Sequence, residues 1–244
     1  MTTPQITWIS RDDPPDAFPD IDAALAVPNG LLAAGGDLSS PRLLHAYEHG
    51  IFPWFDRGQP ILWWSPDPRC VLPPEAFHVA RRLRRTLKYG AFEITWNRSF
   101  DRVIAACAEP RPQQSGTWIT ADMMQAFGDL HRDGWAHSVE VWLDRRLVGG
   151  IYGLALGKVF FGESMFSRAP DASKTAMLAL CRELARNAFE LLDCQLVSPH
   201  LLSLGASPMP RREFGPLVRR ACEHRARFTA WPRQALVARE LIAD

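Results

Sequence analysis

Apolar positions along the chain repeat with two periods, and each switch between them marks the edge of an element. Val79, Leu83 and Leu87 recur every four residues ahead of Gly90, which predicts a helix over 79–89. Ser40-Pro41, then 42–49 and Gly50, predict another, with Ser40 as its cap and a glycine at its end. Ser99 and Thr120 cap two further helices, the second stopping at Gly134, and Ala176, Leu180, Leu184 and Phe189 give a near-helical spacing over 171–189. Strand patterns fall at 92–96, 136–143 and 191–197, with a short one at 6–9 inside a start punctuated by Pro4, Pro14, Pro15, Pro19 and Pro28. The stretch 148–167 predicts a hairpin turning at Gly157-Lys158. Gly149, Gly150, Gly153 and Gly162 remove side chains from that hairpin, the mark of a bulge or of something approaching its backbone.

The hairpin with its preceding strand, the helix over 171–189 and the strand over 191–197 run in the order strand, strand, strand, helix, strand. A mostly antiparallel sheet followed by a parallel crossover is the core pattern of the acetyltransferase-like α/β fold. Pro66, Pro68, Pro73 and Pro74 mark a boundary near residue 69. The expected organisation is therefore a small N-terminal domain over 1–69 and an acetyltransferase-like (GNAT-like) domain over 70–244, with helices on the faces of its sheet. Residues 51–69 concentrate aromatics and prolines with few helix or strand signals, as a packed seam or a stacking surface would.

Composition changes this picture little: 47% hydrophobic and 23% charged residues describe an ordinary globular chain. A net charge of +1 gives the chain as a whole no bias towards nucleic acid or membrane, so such a partner must be argued from a local cluster. One cluster qualifies. At 100° per residue Arg81, Arg84, Arg85 and Lys88 form a stripe opposite the apolar one, with no acid between them. Such a face is either solvated or meets an anion, and a polyphosphate backbone would suit it. Five cysteines, an odd number with no C-x-x-C pair, suggest a reducing cytosol. The absence of a basic-then-apolar leader and of any run of roughly 18 apolar residues predicts a soluble, unexported protein.

Chemistry concentrates at the far end of the hairpin and on the strand that follows the crossover. Period-two alternation puts Asp193 and Gln195 on one face, with Cβ atoms roughly 7 Å apart, and Leu192, Cys194 and Leu196 on the other. If that face lines a cleft with Glu163, Ser164 and Ser167, the site suits a cationic or amine substrate. No Ser/His or Cys/His pair is identifiable, and His45 and His49 stand a helical turn apart without the H-E-x-x-H order. His131 and His137 flank a helix stop, where a dipole role competes with catalysis. A phosphate-cradling G-x-x-x-x-G-K-[ST] loop is missing. Where a CoA-binding acetyltransferase would carry [QR]-x-x-G-x-[GA], this chain reads Ser167-Arg168-Ala169-Pro170-Asp171-Ala172.

Several stretches together closely resemble one family, the bacterial leucyl/phenylalanyl-tRNA-protein transferases. They are Pro28-Asn29-Gly30-Leu31-Leu32 with Gly35-Gly36-Asp37-Leu38, Gly50-Ile51-Phe52-Pro53-Trp54-Phe55, and Trp63-Trp64-Ser65-Pro66-Asp67-Pro68-Arg69. Gly116-Thr117-Trp118-Ile119, His137-Ser138-Val139-Glu140-Val141-Trp142, and Gly162-Glu163-Ser164-Met165-Phe166-Ser167 with Ala172-Ser173-Lys174-Thr175-Ala176 follow. Asp193-Cys194-Gln195 and Ser203-Leu204-Gly205-Ala206 complete the set, which runs in order from about residue 28 to 214.

The resemblance implies an enzyme that moves Leu or Phe, and with them Met, from aminoacyl-tRNA to the N-terminal α-amine of proteins beginning with Arg or Lys, marking them for degradation. It implies that Asp193 and Gln195 are catalytic, Gln195 holding the amine through its carbonyl oxygen while Asp193 polarises it and receives the proton. Trp54 and Trp118 resemble the contacts to the terminal adenosine, with Glu163, Ser164 and Met165 beside the aminoacyl group. At Ile151 and Leu180 the family often carries Met and Phe, so the aminoacyl pocket is expected to differ in shape. Arg81, Arg84, Arg85 and Lys88 would meet the acceptor stem, and the hairpin glycines would make room for the aminoacyl-adenosine. No cofactor or metal is implied, and a monomer is expected. Two other readings of the same residues are a CoA-dependent N-acetyltransferase and a non-enzymatic adaptor for N-terminal Arg or Lys.

Overall fold

The computed structural model describes residues 6–110 and 117–243. Pro4 and Gly116, used in the sequence reading, lie outside them. The first part of the chain builds a four-stranded sheet from β1 (Thr7–Ile9), β2 (Leu31–Gly35), β3 (Phe52–Pro53) and β4 (Leu62–Trp64), in the order β1-β2-β4-β3. Helix α1 (Ser40–Glu48) lies between β2 and β3. Its cap is Ser39, one residue earlier than predicted, because Asp37 turns the chain by accepting from the Ser39 amide at 2.7 Å. Ser40 and Pro41 are thus the first helical residues. The aromatic stretch 51–69 holds the strands β3 and β4, each too short to show a period, and Trp63 in β4 is fully buried.

The sheet changes between Trp64 and Arg69. An eight-stranded sheet follows, from β5 (Arg69–Leu72), β6 (Glu93–Trp96), β7 (Ala136–Leu143), β8 (Arg146–Leu156), β9 (Val159–Ser167), β10 (Leu191–Gln195), β11 (Ser207–Met209) and β12 (Leu236–Val237). Its order is β11-β5-β10-β9-β8-β7-β6-β12, antiparallel except for the β9–β10 pair. The connecting helices are α2 (Arg81–Tyr89), α3 (Phe100–Cys107), α4 (Ala121–Arg132), α5 (Ala172–Arg186), α6 (Pro199–Ser203) and α7 (Arg211–Cys222). Helix α5 is the crossover between parallel β9 and β10, so the expected strand, strand, strand, helix, strand order is present. The elements after residue 197 escape the sequence reading: β11 has three residues, and α7 carries Pro216 inside it. Helix α7 nonetheless closes the core, packing on α1 and on the 3-10 turn at Ile21–Ala23.

Two apolar cores lie on the two faces of the large sheet. One is continuous with the N-terminal sheet, joining Ile9, Leu43 and Trp63 to Phe127, Phe161 and Phe214. The other holds the apolar sides of α2 and α5, with Leu83, Leu87, Leu178 and Leu180 against Val141, Ile151 and Leu192.

Two of the hairpin glycines are required by packing within the fold. A Cβ on Gly149 would lie 2.6 Å from the Cβ of Ala172, so that glycine admits the start of α5. On Gly153, where the β8–β9 register slips, a Cβ would lie 2.0 Å from the Phe161 carbonyl oxygen. Among the described residues, no helix is long and apolar enough to cross a membrane.

Candidate active site

The parallel β9–β10 ladder ends at the pair Phe161–Asp193. Two residues on, Gln195 adopts φ of 62° at a register shift against β5, and the two strands part there. Glu163 on β9 and Gln195 on β10 therefore stand just past the last pair, at the floor of the opening. The opening is a cleft of about 1030 Å³ whose walls include Phe52, Trp54, Trp118, Ser164 and Leu201. Trp54 is 39% exposed on the cleft side, and Trp64 steadies it by donating its Nε1–H to the Trp54 carbonyl at 2.6 Å. The rim is polar, with Asp56, Arg57 and a Glu109 that is paired to Arg168.

The floor is one connected hydrogen-bonded unit. Glu163 Oε1 accepts from the Tyr47 hydroxyl at 2.7 Å and from Gln195 Nε2 at 2.8 Å. The amide nitrogen of Gln195 is thereby committed to Glu163, which leaves its carbonyl oxygen as the acceptor it can offer the cleft. Burial pushes the Glu163 carboxyl up to about 8, and the nearby Asp193 charge adds to this against the opposing hydrogen bonds from Tyr47 and Gln195. Burial, then the Glu163 charge, also holds the Tyr47 hydroxyl well above its ordinary range, so it remains a donor.

Asp193 stands behind this floor, not in it. Its carboxylate is fully buried and takes both Arg69 Nε (2.9 Å, on Oδ1) and Arg69 Nη2 (2.7 Å, on Oδ2). Oδ1 also accepts from the Gln195 backbone amide at 2.9 Å, which pins the left-handed residue in place. Arg69 is itself held between the rings of Phe52 and Phe214, each 4.7 Å from its guanidinium carbon, and donates to the Gly50 carbonyl at 3.1 Å. Gly50 needs its φ of 76°, and a Cβ there would come 2.8 Å from the Phe214 ring. Alternation places Asp193 and Gln195 on one face; what it cannot convey is that Arg69 occupies the carboxylate and that Tyr47 completes the floor.

The other expected site residues separate into two groups. Trp54, Trp118, Glu163 and Ser164 line the cleft with Gln195. Ile151 on β8 and Leu180 on α5 are buried in the core between that helix and the sheet, and Met165 packs against the same core, so none of the three lines the cleft. Arg81, Arg84, Arg85 and Lys88 are all exposed and together with Tyr89 form a shallow concavity on α2. The helix is set in that orientation by Asp171 at the cap of α5, which accepts from Thr86 at 2.9 Å and pairs with Arg82 at 3.6 Å.

A mixed sheet that opens beside its single parallel pair is the acetyltransferase-like α/β arrangement, here with an amide–carboxyl unit at the floor of an aromatic cleft. Comparison with known proteins narrows this. Residues 71–219 match the profile described as leucyl/phenylalanyl-tRNA protein transferase, and residues 36–67 match that of its N-terminal domain. The leucyl/phenylalanyl-tRNA–protein transferase of Pseudomonas aeruginosa (strain LESB58) is 56% identical over 88% of this chain and 94% of its own. That of Nitrosospira multiformis is 52% identical over 93% of this chain and 96% of its own. The chain belongs to the leucyl/phenylalanyl-tRNA protein transferase family. Among solved structures, a GCN5-related N-acetyltransferase from Kribbella flavida aligns with TM-score 0.35 and 10% identity over 67% of this chain and 58% of that one. L-PGS from Bacillus licheniformis aligns with TM-score 0.39 and 8% identity, over 64% and 50%. Those two similarities are too slight to bear on the site.

Proposed function

We propose that the protein transfers Leu, Phe or Met from aminoacyl-tRNA to the N-terminal α-amine of polypeptides that begin with Arg or Lys, a modification that commits them to degradation. The observation that carries this reading is the Tyr47–Glu163–Gln195 unit at the floor of a cleft walled by Trp54 and Trp118. The terminal adenosine stacks on the tryptophans, where one base on an aromatic ring is worth about 1–3 kcal/mol. The carbonyl oxygen of Gln195 accepts from the incoming amine and orients its lone pair on the ester carbon. Asp193 acts through Gln195, fixing its backbone, because its carboxylate is fully buried against Arg69 and outside the cleft lining. The ester is already activated, and an α-amine of pKa ~7.7–8.0 is substantially neutral near pH 8, so positioning supplies much of the rate. Arg81, Arg84, Arg85 and Lys88 on α2 meet the tRNA backbone and read charge, not sequence. Ile151, Leu180 and Met165 shape the aminoacyl side-chain preference from behind the sheet.

Transfer of radiolabelled leucine from charged tRNA to an Arg-starting peptide tests this reading. Peptide binding without turnover would favour an adaptor, and calorimetric binding of acetyl-CoA would favour an N-acetyltransferase.

A further inference from the structure

The two oxygens of Glu163 are treated differently. Oε1 accepts from both Tyr47 and Gln195, while Oε2 is buried with no hydrogen-bond partner. An ionised carboxylate buried with one oxygen unserved is costly, and a neutral carboxyl with the same contacts costs less. Oε1 is then the carbonyl acceptor and Oε2 carries the proton, on a side chain that lines the cleft floor. The surrounding groups favour that state. Tyr47 from α1 and Tyr152 from β8 are neutral and fully buried, and Asp193 from β10 opposes a second negative charge. Arg69 from β5 is committed to Asp193 through two nitrogens. Among the described residues, the remaining charged or ionisable cleft groups are Asp56, Arg57, Cys107, Glu109 and Cys194.

We propose that Glu163 is the proton carrier of the transfer, giving the Oε2 proton to the ribose oxygen that leaves the ester and then taking one from the amine that has attacked. The inference rests on the transfer reading above. The amine nitrogen forms its bond to the ester carbon, and the bond from that carbon to the ribose oxygen breaks. One proton passes from Glu163 to the ribose oxygen, one passes from nitrogen to Glu163, and the carboxyl ends as it began. The geometry suits this exchange because nitrogen and leaving oxygen sit on the same tetrahedral carbon. The Gln195–Glu163 bond likewise joins the two side chains, Gln195 keeping its Oε1 as an acceptor. Asp193 is fully buried against Arg69 and does not line the cleft, and an amide is too weak a base to hold a proton.

Glu163→Gln separates this role from simple binding, since a carboxamide keeps the acceptor towards Tyr47 and Gln195 and a donor at the Oε2 position but cannot release a proton. The expected result is a kcat lower by about 10²-fold or more, with KM for charged tRNA and for peptide moving less than about threefold. Wild-type kcat should rise as the amine deprotonates and decline again above about pH 8, and the decline should vanish in the variant. Independently of turnover, the infrared difference between wild type and variant at pH 7 should contain a protonated-carboxyl band that fades at higher pH. A variant with near-normal kcat, a raised KM at unchanged kcat, or no such band would each overturn the proposal while wild-type transfer stands. Absence of transfer by the wild type would remove the function reading and this inference together.

Discussion

Asp193 is a carboxylate on β10 that the fold itself uses. It holds Arg69 by two bonds and Gln195 by a third, all out of contact with solvent. Asp193→Ala should abolish transfer and also lower stability by about 3–5 kcal/mol, because it leaves the Arg69 cation buried and unpaired. Gln195→Ala should lower kcat at least about tenfold with a smaller loss of stability, about 1 kcal/mol for its hydrogen bond to Glu163. Kinetics paired with urea titration distinguish the two, and a Gln195 variant of normal kcat would detach the amide from the reaction. The same residues show what one strand of sequence conveys. Alternation is a local property, so it reveals the shared face of Asp193 and Gln195. Arg69 is 124 positions from Asp193 and Tyr47 is 116 from Glu163, and nothing in either segment indicates which carboxylate it will meet.

At the scale of elements, the hairpin glycines and the α2 stripe invite opposite tests. Gly149→Val would drive a side chain into the first turn of α5, where a Cβ alone comes within 2.6 Å of Ala172. A stability loss of about 1–3 kcal/mol or more is expected, with KM largely kept. A raised KM at normal stability would return these glycines to a ligand-clearing role. Neutralising Arg81, Arg84, Arg85 and Lys88 together should weaken tRNA binding and reduce the slope of log Kd against log salt by up to about 3–4, as fewer counterions are released. An unchanged slope would leave the stripe to solvent. Elements with a long period are legible in the sequence: α2, α4, α5, β7 and the β8–β9 hairpin all fall where the pattern places them. The two- and three-residue strands β3, β4, β11 and β12 are too short to display a period, and they form because a neighbouring strand is there to pair with.

At the scale of the whole molecule, the site is an opening between two parallel strands, closed from behind by segments from both ends of the chain. Phe52 from the N-terminal sheet and Phe214 from α7 grip Arg69, Arg69 grips Asp193, and Asp193 fixes the left-handed turn at Gln195. The core that unites the N-terminal sheet with one face of the large sheet is therefore continuous with the support of the active face. The central claim is that this floor serves aminoacyl transfer from charged tRNA. The most direct measurement supplies radiolabelled leucyl-tRNA and matched peptides starting with Arg, Lys or Ala, with acetyl-CoA as an alternative donor. The account predicts label on the Arg and Lys peptides, little on the Ala peptide, and no acetylation. Acetylation in place of leucyl transfer, or peptide binding with no label transferred, would contradict it.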